Sequence, residues 1–182
     1  DPDRVVLIVD HIYPAATEKA RNSVWAMDDF AKEFGVHLYQ RGEGVIHQLM
    51  YEKHRAAPGE LIAIADSHTG TCGGYGAIGI GVGSTELAAA MATGRLVPEV
   101  VQIYLNGKRP ANVFGKDLIL YLGSVFGTDY LVDKALLFTG PGIEEFSVAE
   151  RMTVCNMGIE IGSMITLFGT TAREGDTAET RE

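Results

Sequence analysis

The chain has 182 residues with 24 acidic against 15 basic side chains, so its formal net charge is −9 at pH 7. This charge disfavours nucleic-acid and membrane-surface partners, because both of these surfaces are anionic. Hydrophobic residues make up 46% of the chain, enough for a core, yet no apolar run reaches the ~18 residues of a membrane span.

Apolar strand patterns alternate with amphipathic helix patterns along the chain. Strands are predicted at residues 5–10, 36–39, 61–65, 99–105, 135–138 and 164–168. Helices are predicted at residues 16–34, 45–54, 84–94, 116–126 and 147–162. Gly35 is the predicted C-cap of the first helix, and Ser147 and Glu150 have the spacing of a capping box at the start of the last. The first and third strands are continuous apolar runs, which predicts burial on both faces. The alternation indicates an α/β fold with a mainly parallel sheet over residues 1–168, followed by a disordered polar tail at 169–182.

Two polar motifs follow predicted strands. Asp10 and His11 follow the first strand, and the segment Asp66-Ser67-His68-Thr69 follows the third. Ligands of parallel sheets bind beyond the carboxyl ends of the strands, so the two motifs are expected at one edge. Asp10 could set the tautomer and basicity of His11 if the chain bends there, and otherwise the pair is a polar strand end. The longer motif is equally typical of a ligand site and of a turn or helix cap.

The stretch after this motif is rich in glycine. It contains Gly79, Gly81 and Gly83 at alternate positions, but neither GxGxxG at a strand–helix junction nor GK[ST], which disfavours a nucleotide site. Glycine either lets the backbone pack closely or leaves room for a bulky ligand.

Three further polar side chains lie in predicted helices. His47 interrupts an apolar helix, where a hydrogen-bonded core histidine is the alternative to a catalyst. Asn156 and Glu160 are four residues apart, so they share a helix face and form either a structural pair or part of a site. Cys72 and Cys155 form no ligand-spaced cluster, which favours two reduced thiols in a cytoplasmic protein, with a disulfide between them as the alternative.

These motifs together resemble one family. The segments "DH", "GVIHQ", "ADSHTGTCGGYGAIGIGVGSTE" and "RMTVCNMGIEIG" match, in order, the large chain of aconitase and 3-isopropylmalate dehydratase. The resemblance covers nearly all of the chain as far as Phe168. It implies a three-layer α/β/α, aconitase-like fold and an iron–sulfur hydro-lyase, in which the glycine-rich stretch packs around a [4Fe-4S] cluster and its substrate.

The resemblance also implies roles for the first two motifs. His11 would protonate the departing hydroxyl of the substrate, with Asp10 as its partner. His68, with Asp66, would hydrogen-bond the hydroxyl or water bound to iron, and Ser67 would contact the substrate.

The last two motifs would complete the site. His47 and Glu160 would form a second imidazole–carboxylate pair, and Asn156 would lie beside the cluster. Neither Cys72 nor Cys155 matches a cluster-ligand position of the family, so no metal ligand is expected in this chain. The substrate-binding arginines and the serine base of the family have no counterpart here either.

These matches and absences predict part of a family member that is inactive alone. Its full-length form would carry the [4Fe-4S] cluster and act on a small anionic hydroxy di- or tricarboxylate together with a small swivelling subunit or domain. The resemblance favours 3-isopropylmalate dehydratase of leucine biosynthesis, with aconitate hydratase or homoaconitase as the alternative. A non-catalytic α/β module of the same fold is the alternative from another functional class.

Overall fold

The computed structural model describes residues 2–85, 87, 98–132 and 134–169. The chain divides into two compact units, Asp1–Arg55 and Ala56–Glu182, within the region that the sequence predicts as one α/β unit. Most of the helix predicted at 84–94 and all but Gly169 of the tail predicted at 169–182 lie outside the described residues. In the described part of the chain, no helix has both the length and the apolar character needed to cross a membrane.

The first unit pairs two short parallel strands beside two helices. Strand β1 spans Val6–Ile8 and strand β2 spans His37–Tyr39, with Leu7 opposite Leu38. Helix α1, Glu18–Phe34, starts where the Thr17 hydroxyl accepts a hydrogen bond from the Ala20 backbone N–H. It ends at Gly35, whose left-handed φ of 68° confirms the predicted C-cap. Helix α2 spans Ile46–Glu52. The buried apolar residues of this unit are Val9, Val24, Val36, Tyr39, Leu49 and Met50.

The second unit contains two parallel sheets. Strands β3 (Leu61–Ile64) and β4 (Ile78–Gly81) form the first sheet. Strands β5 (Glu99–Tyr104), β6 (Lys134–Thr139) and β7 (Ile165–Phe168) form the second sheet in that order. All named strand pairs are therefore parallel, which confirms the predicted class of fold.

Among the described residues of the second unit, two α-helices and three 3-10 helices have assigned bounds. Helices α3 and α4 span Gly115–Phe126 and Val148–Asn156. The 3-10 helices span Thr69–Tyr75, Pro141–Glu145 and Met157–Ile161. The helix predicted at 147–162 is thus an α-helix continued by a 3-10 helix, and it ends at Gly162 with a φ of 90°. The main core cluster consists of Ile119, Leu122, Leu131, Leu136, Phe138, Ile143, Val154, Cys155, Ile161 and Phe168.

Helix α4 begins at the predicted capping box. The Ser147 hydroxyl accepts from the Glu150 backbone N–H, and the Glu150 carboxylate accepts from the Ser147 backbone N–H at 3.1 Å. Arg109 donates to the same carboxylate at 2.5 Å, and its guanidinium lies 4.8 Å from the centre of the Phe146 ring. Burial raises the pKa of Glu150, but the hydrogen bonds from Ser147 and Arg109 outweigh it, and the pKa of Glu150 is lowered overall.

The glycine-rich stretch is packed against neighbouring backbone rather than open. The segment Thr69–Tyr75 lies so close to strand β7 that a Cβ at Gly73 would stand 1.8 Å from the Thr166 carbonyl oxygen. A Cβ at Gly81, in strand β4, would stand 2.5 Å from the Asp66 carbonyl oxygen. Close backbone packing, one of the two roles open for these glycines from the sequence, is therefore present. Strand β4 was not predicted, because the glycines hide the alternation of its isoleucines.

The predicted burial of two strands is wrong. Strand β1 is only half-buried along its length, and residues of β3 alternate between exposed and half-buried. Leu61 in β3 is 65% exposed, and Val100 in β5 is also exposed. The continuous apolar runs therefore predicted these strands correctly, but they did not predict how deeply each strand face is buried.

Candidate active site

The polar motif after strand β3 folds back on itself. The Asp66 carboxylate accepts a hydrogen bond from the His68 backbone N–H at 2.8 Å, and the Asp66 carbonyl accepts one from the Thr69 hydroxyl at 2.8 Å. These bonds turn the chain from β3 into the 3-10 helix Thr69–Tyr75, which is the cap role that the sequence left open. The same turn directs the imidazole of His68 toward another element of the unit.

His68 lies between two oxygen-bearing side chains. Its Nδ1 atom lies 2.9 Å from the Ser67 hydroxyl, and its Nε2 atom lies 3.3 Å from the Glu160 carboxylate. A carboxylate only accepts hydrogen bonds, so the contact assigns the Nε2 proton to His68. Nδ1 of the neutral ring then accepts from Ser67. Ser67, His68 and Glu160 thus form a relay of hydrogen bonds, which links the motif after β3 to the helical segment that carries Glu160.

Asn156 joins the same motif from helix α4. Its Nδ2 donates to the Thr71 hydroxyl at 2.9 Å, and that hydroxyl donates to the His68 carbonyl at 2.6 Å. Thr71 is only 4% exposed, so these bonds are shielded from solvent. The shared helix face of Asn156 and Glu160 is thus turned toward the segment 66–71.

A cleft of about 680 Å³ lies beside these residues in the second unit. Its polar lining comes from residues that follow β3 and β4, from the start of β7 and from helix α4, namely Asp66, Ser67, Ser84, Asn156, Ser163 and Thr166. Among the described residues that line it there is no lysine or arginine. The wall of the cleft presents hydroxyl, amide and carboxylate groups, which suit a ligand that carries hydroxyl or water donors.

In the first unit, the structure brings Asp10 and His11 together. Strand β1 ends at Ile8, so the pair lies outside the regular strand and can meet: His11 Nδ1 is 2.6 Å from Asp10 Oδ1. The other carboxylate oxygen of Asp10 accepts from the Ile46 backbone N–H, at the start of α2, at 2.8 Å. Burial raises the pKa of Asp10, but the hydrogen bonds with His11 and Ile46 outweigh it, so the pKa is lowered overall.

His47 lies in the first turn of α2, directly after Ile46. It is half-buried, as the sequence suggested for a histidine in an apolar helix. The predicted pair of His47 with Glu160 links the two units and stays a prediction, as does the shared edge for Asp10, His11 and the segment 66–69. Within the second unit, the imidazole at Glu160 belongs to His68.

Comparison with known proteins identifies the family of the chain. The sequence profile of the Aconitase family (aconitate hydratase) matches residues 5–176. The chain belongs to the aconitase family. It is 40% identical, over 88% of its length, to "3-isopropylmalate dehydratase large subunit 1" of Thermotoga maritima, covering 39% of that protein. It is 45% identical to the "3-isopropylmalate dehydratase large subunit" of Methanoregula boonei, over 90% of this chain and 40% of the relative.

A second kind of relative within the aconitase family matches nearly as well. The "Probable methanogen homoaconitase large subunit" of Methanothermobacter thermautotrophicus is 39% identical over 90% of this chain and 39% of its own length. The chain spans about two fifths of the length of these curated relatives.

The residues described here do not fit the iron–sulfur cluster that membership of the aconitase family implies. Cys72 and Cys155 are 0% and 1% exposed, and burial raises the pKa of both thiols. Cluster ligands are thiolates, which need the opposite environment. Nor do three or more His, Cys, Asp or Glu residues of the described part of the chain converge as a metal-binding group.

Sequence reasoning missed one polar residue of this aconitase-family site. Thr71 connects His68 with Asn156, yet it carries no charge and stands among glycines. Its only signal was its place three residues after His68, the spacing at which a hydroxyl reaches back to a carbonyl in a helical turn.

Proposed function

We propose that this chain is part of the large subunit of a cytoplasmic hydro-lyase that isomerises a hydroxy dicarboxylate by dehydration and rehydration, with 3-isopropylmalate as the substrate. The observation that carries the proposal is the contact between His68 and Glu160, which joins two motifs 92 residues apart. A general acid–base reaction needs an imidazole whose tautomer and orientation are fixed, and Glu160 and Ser67 supply both. The identities of 40% and 45% to 3-isopropylmalate dehydratase large subunits support the proposed substrate class.

In this proposal, each imidazole has a distinct task. His11 gives its proton to the departing hydroxyl, and the carboxylate of Asp10 stabilises the imidazolium before the transfer. His68 orients the same hydroxyl or the product water, with Asp66, Ser67 and Asn156 on the cleft wall around it. His47 pairs with a carboxylate of the second unit, for which Glu160 is the predicted partner.

The described wall of the cleft offers no cationic partner to an anionic substrate. The substrate is a dianion, whereas the chain has a net charge of −9 and no basic side chain among the described residues of the cleft wall. Carboxylates in such a cleft need cationic partners. We therefore propose that the remaining part of the large subunit and a small subunit supply those cations, together with the cysteine ligands of a [4Fe-4S] cluster.

Homoaconitase is the second candidate, since relatives of that name are 39% and 42% identical to this chain. The two substrates differ in the group attached to a common hydroxy-diacid core. In this proposal the polar residues of the site act on that core and not on the variable group, so they are compatible with either substrate.

The deciding experiment is an assay of the full-length protein that contains this chain, prepared without oxygen together with its small subunit. Isopropylmalate, homocitrate and citrate are offered separately, and formation of the unsaturated acid is followed. We expect the highest kcat/KM with isopropylmalate. A higher value with homocitrate selects the second candidate, and turnover of none of the three by a cluster-loaded preparation supports a non-catalytic module instead.

A further inference from the structure

Thr71 holds a position from which it can control the neighbouring amide. It lies in the 3-10 helix Thr69–Tyr75, it is buried, and its hydroxyl has two polar neighbours. The His68 carbonyl oxygen lies 2.6 Å from the Thr71 Oγ1 atom, and the Asn156 carboxamide lies 2.9 Å from it on the other side.

The Thr71 hydroxyl donates its proton to the His68 carbonyl oxygen. Two oxygen atoms approach to 2.6 Å only when a hydrogen lies between them, and a carbonyl oxygen has none to offer. The proton therefore belongs to Thr71 and points at the His68 carbonyl. A hydroxyl has one proton, so toward Asn156 it can only accept.

Because the Thr71 hydroxyl can only accept from Asn156, the end of the carboxamide that faces Thr71 is fixed. The end must be the Nδ2 donor, because the Oδ1 end would set two acceptors against each other in a buried place. Among the described residues, none donates a hydrogen bond to Oδ1 of Asn156. Because Asn156 lines the cleft, its carbonyl oxygen is the end left for a ligand.

We propose that Thr71 is a positioning residue that presents Asn156 to the cleft as a hydrogen-bond acceptor, matched to a hydroxyl or water donor of the ligand. Without the Thr71 hydroxyl, no hydrogen bond fixes which end of the amide faces the cleft, and the orientation that turns the NH₂ group toward a donor becomes accessible. The role in turnover rests on the proposed function, whereas the orientation of the amide does not.

The orientation is tested on the present chain by NMR. In the unaltered chain, we expect the side-chain amide protons of Asn156 to show contacts with the Thr71 methyl group and to exchange with water more slowly than those of Asn22, on the exposed helix α1. In Thr71→Val, which keeps the shape but not the hydroxyl, this protection should be lost at least tenfold. Thr71→Ser, which keeps the hydroxyl, should retain it.

Each result of this experiment bears on the inference. Equal exchange rates for Asn156 and Asn22 in the unaltered chain would overturn it, even if the valine variant did not fold. Unchanged protection in a folded Thr71→Val chain would overturn it as well.

The consequence for turnover is tested on the full-length protein with its small subunit. We expect Thr71→Val to lower kcat/KM about tenfold and Thr71→Ser to restore it, in line with the loss of one buried hydrogen bond. Thr153→Val is the matched control, since its hydroxyl bonds only within helix α4, to the Ala149 carbonyl, and is exposed. If the unaltered enzyme turns over no hydroxy acid, the proposed function fails while the NMR result stands. If the enzyme is active and Thr71→Val equals Thr153→Val, the positioning role in turnover is refuted.

Discussion

The imidazole of His68 touches an exposed carboxylate on one side and a hydroxyl on the other. Glu160 reaches it from the 3-10 helix that follows α4, and Ser67 reaches it from the preceding position in the chain. When the ring takes up a second proton at Nδ1, the Ser67 hydroxyl must stop donating to it and can donate to the cleft instead. Protonation of one histidine thereby changes the hydrogen-bonding character of its neighbour.

Replacement of Glu160 by glutamine tests this relay. Glu160→Gln keeps the shape of the side chain but removes the carboxylate that fixes the tautomer and the orientation of His68, so kcat of the full-length enzyme should fall about 100-fold. KM should change far less, because the charge acts mainly in the transition state.

The control for this variant is Glu145→Gln. Glu145 is exposed at the end of the 3-10 helix Pro141–Glu145, away from the lining of the cleft. Glu145→Gln should leave kcat and KM unchanged. Equal kcat values for the two variants would remove Glu160 from the mechanism.

Much of the candidate site was readable in the sequence, because polar residues at strand ends are conspicuous between apolar runs. The pairing of side chains was less accessible. The pairing of Glu160 with His47 stays a prediction, whereas the contact of Glu160 with His68 within the second unit was not predicted. Sequence spacing reports which residues share a helix face, but which histidine meets that face depends on the turn that the Asp66 carboxylate imposes on the next two residues.

At the scale of single elements, the start of helix α4 depends on ionised Glu150. The folded chain holds the pKa of this carboxyl below its ordinary value, so the unfolded chain binds more protons at acidic pH. The stabilisation is therefore complete above about pH 5 and is lost as the pH falls through the range of ordinary glutamate titration, near 4.3, and below.

Glu150→Gln measures this contribution. Glutamine can still complete the capping box, so the variant loses mainly the charge opposite Arg109. We expect its free energy of unfolding in urea to be about 1 kcal/mol lower than that of the unaltered chain at pH 7. At pH 3 the two proteins should differ little. A difference that persists at pH 3 would mean that the carboxylate charge is not the cause.

The packing of the glycine-rich 3-10 helix on strand β7 allows a second test at this scale. Gly73→Ala would place a methyl group 1.8 Å from the Thr166 carbonyl oxygen, and backbone cannot move aside as a side-chain end can. We expect a loss of about 3 kcal/mol or more in the free energy of unfolding, or failure to fold.

Gly123→Ala is the matched control for that variant. Gly123 lies inside helix α3, and its Cβ would meet only a methyl carbon of Ile161, at 3.0 Å. Alanine favours helix by up to about 1 kcal/mol, so this variant should be as stable as the original or slightly more. Equal stabilities of the two alanine variants would contradict the close packing.

Most helices and strands were predicted because their hydrophobic periods are regular and their caps are typical. Gly35 and the Ser147–Glu150 capping box are examples in which a local signal fixed a boundary. Strand β4 escaped prediction because glycine at every second position removes the side chains that would show a period of two. The exposure of Leu61 was not predicted either, because the burial of a strand depends on which elements pack on its sheet and not on the strand's own sequence.

The chain as a whole is expected to bind no iron–sulfur cluster by itself. Both cysteines are buried in the second unit with raised thiol pKa values, which makes them poor ligands. After anaerobic reconstitution with iron and sulfide, the purified chain should stay colourless and contain well under one iron atom per chain. About four iron atoms per chain with the visible absorbance of a [4Fe-4S] centre would show that the chain binds the cluster unaided.

Strand β7 has a consequence for the order of events during synthesis. It pairs with β6, its residue Phe168 stacks on Phe138, and its backbone receives the glycine-rich helix at Gly73. These partners leave the ribosome long before Ile165–Phe168 does. The residues that pack on β7 therefore cannot complete their contacts until Phe168 has been synthesised. Residues 2–55, which contain every strand and helix of the first unit, face no such delay.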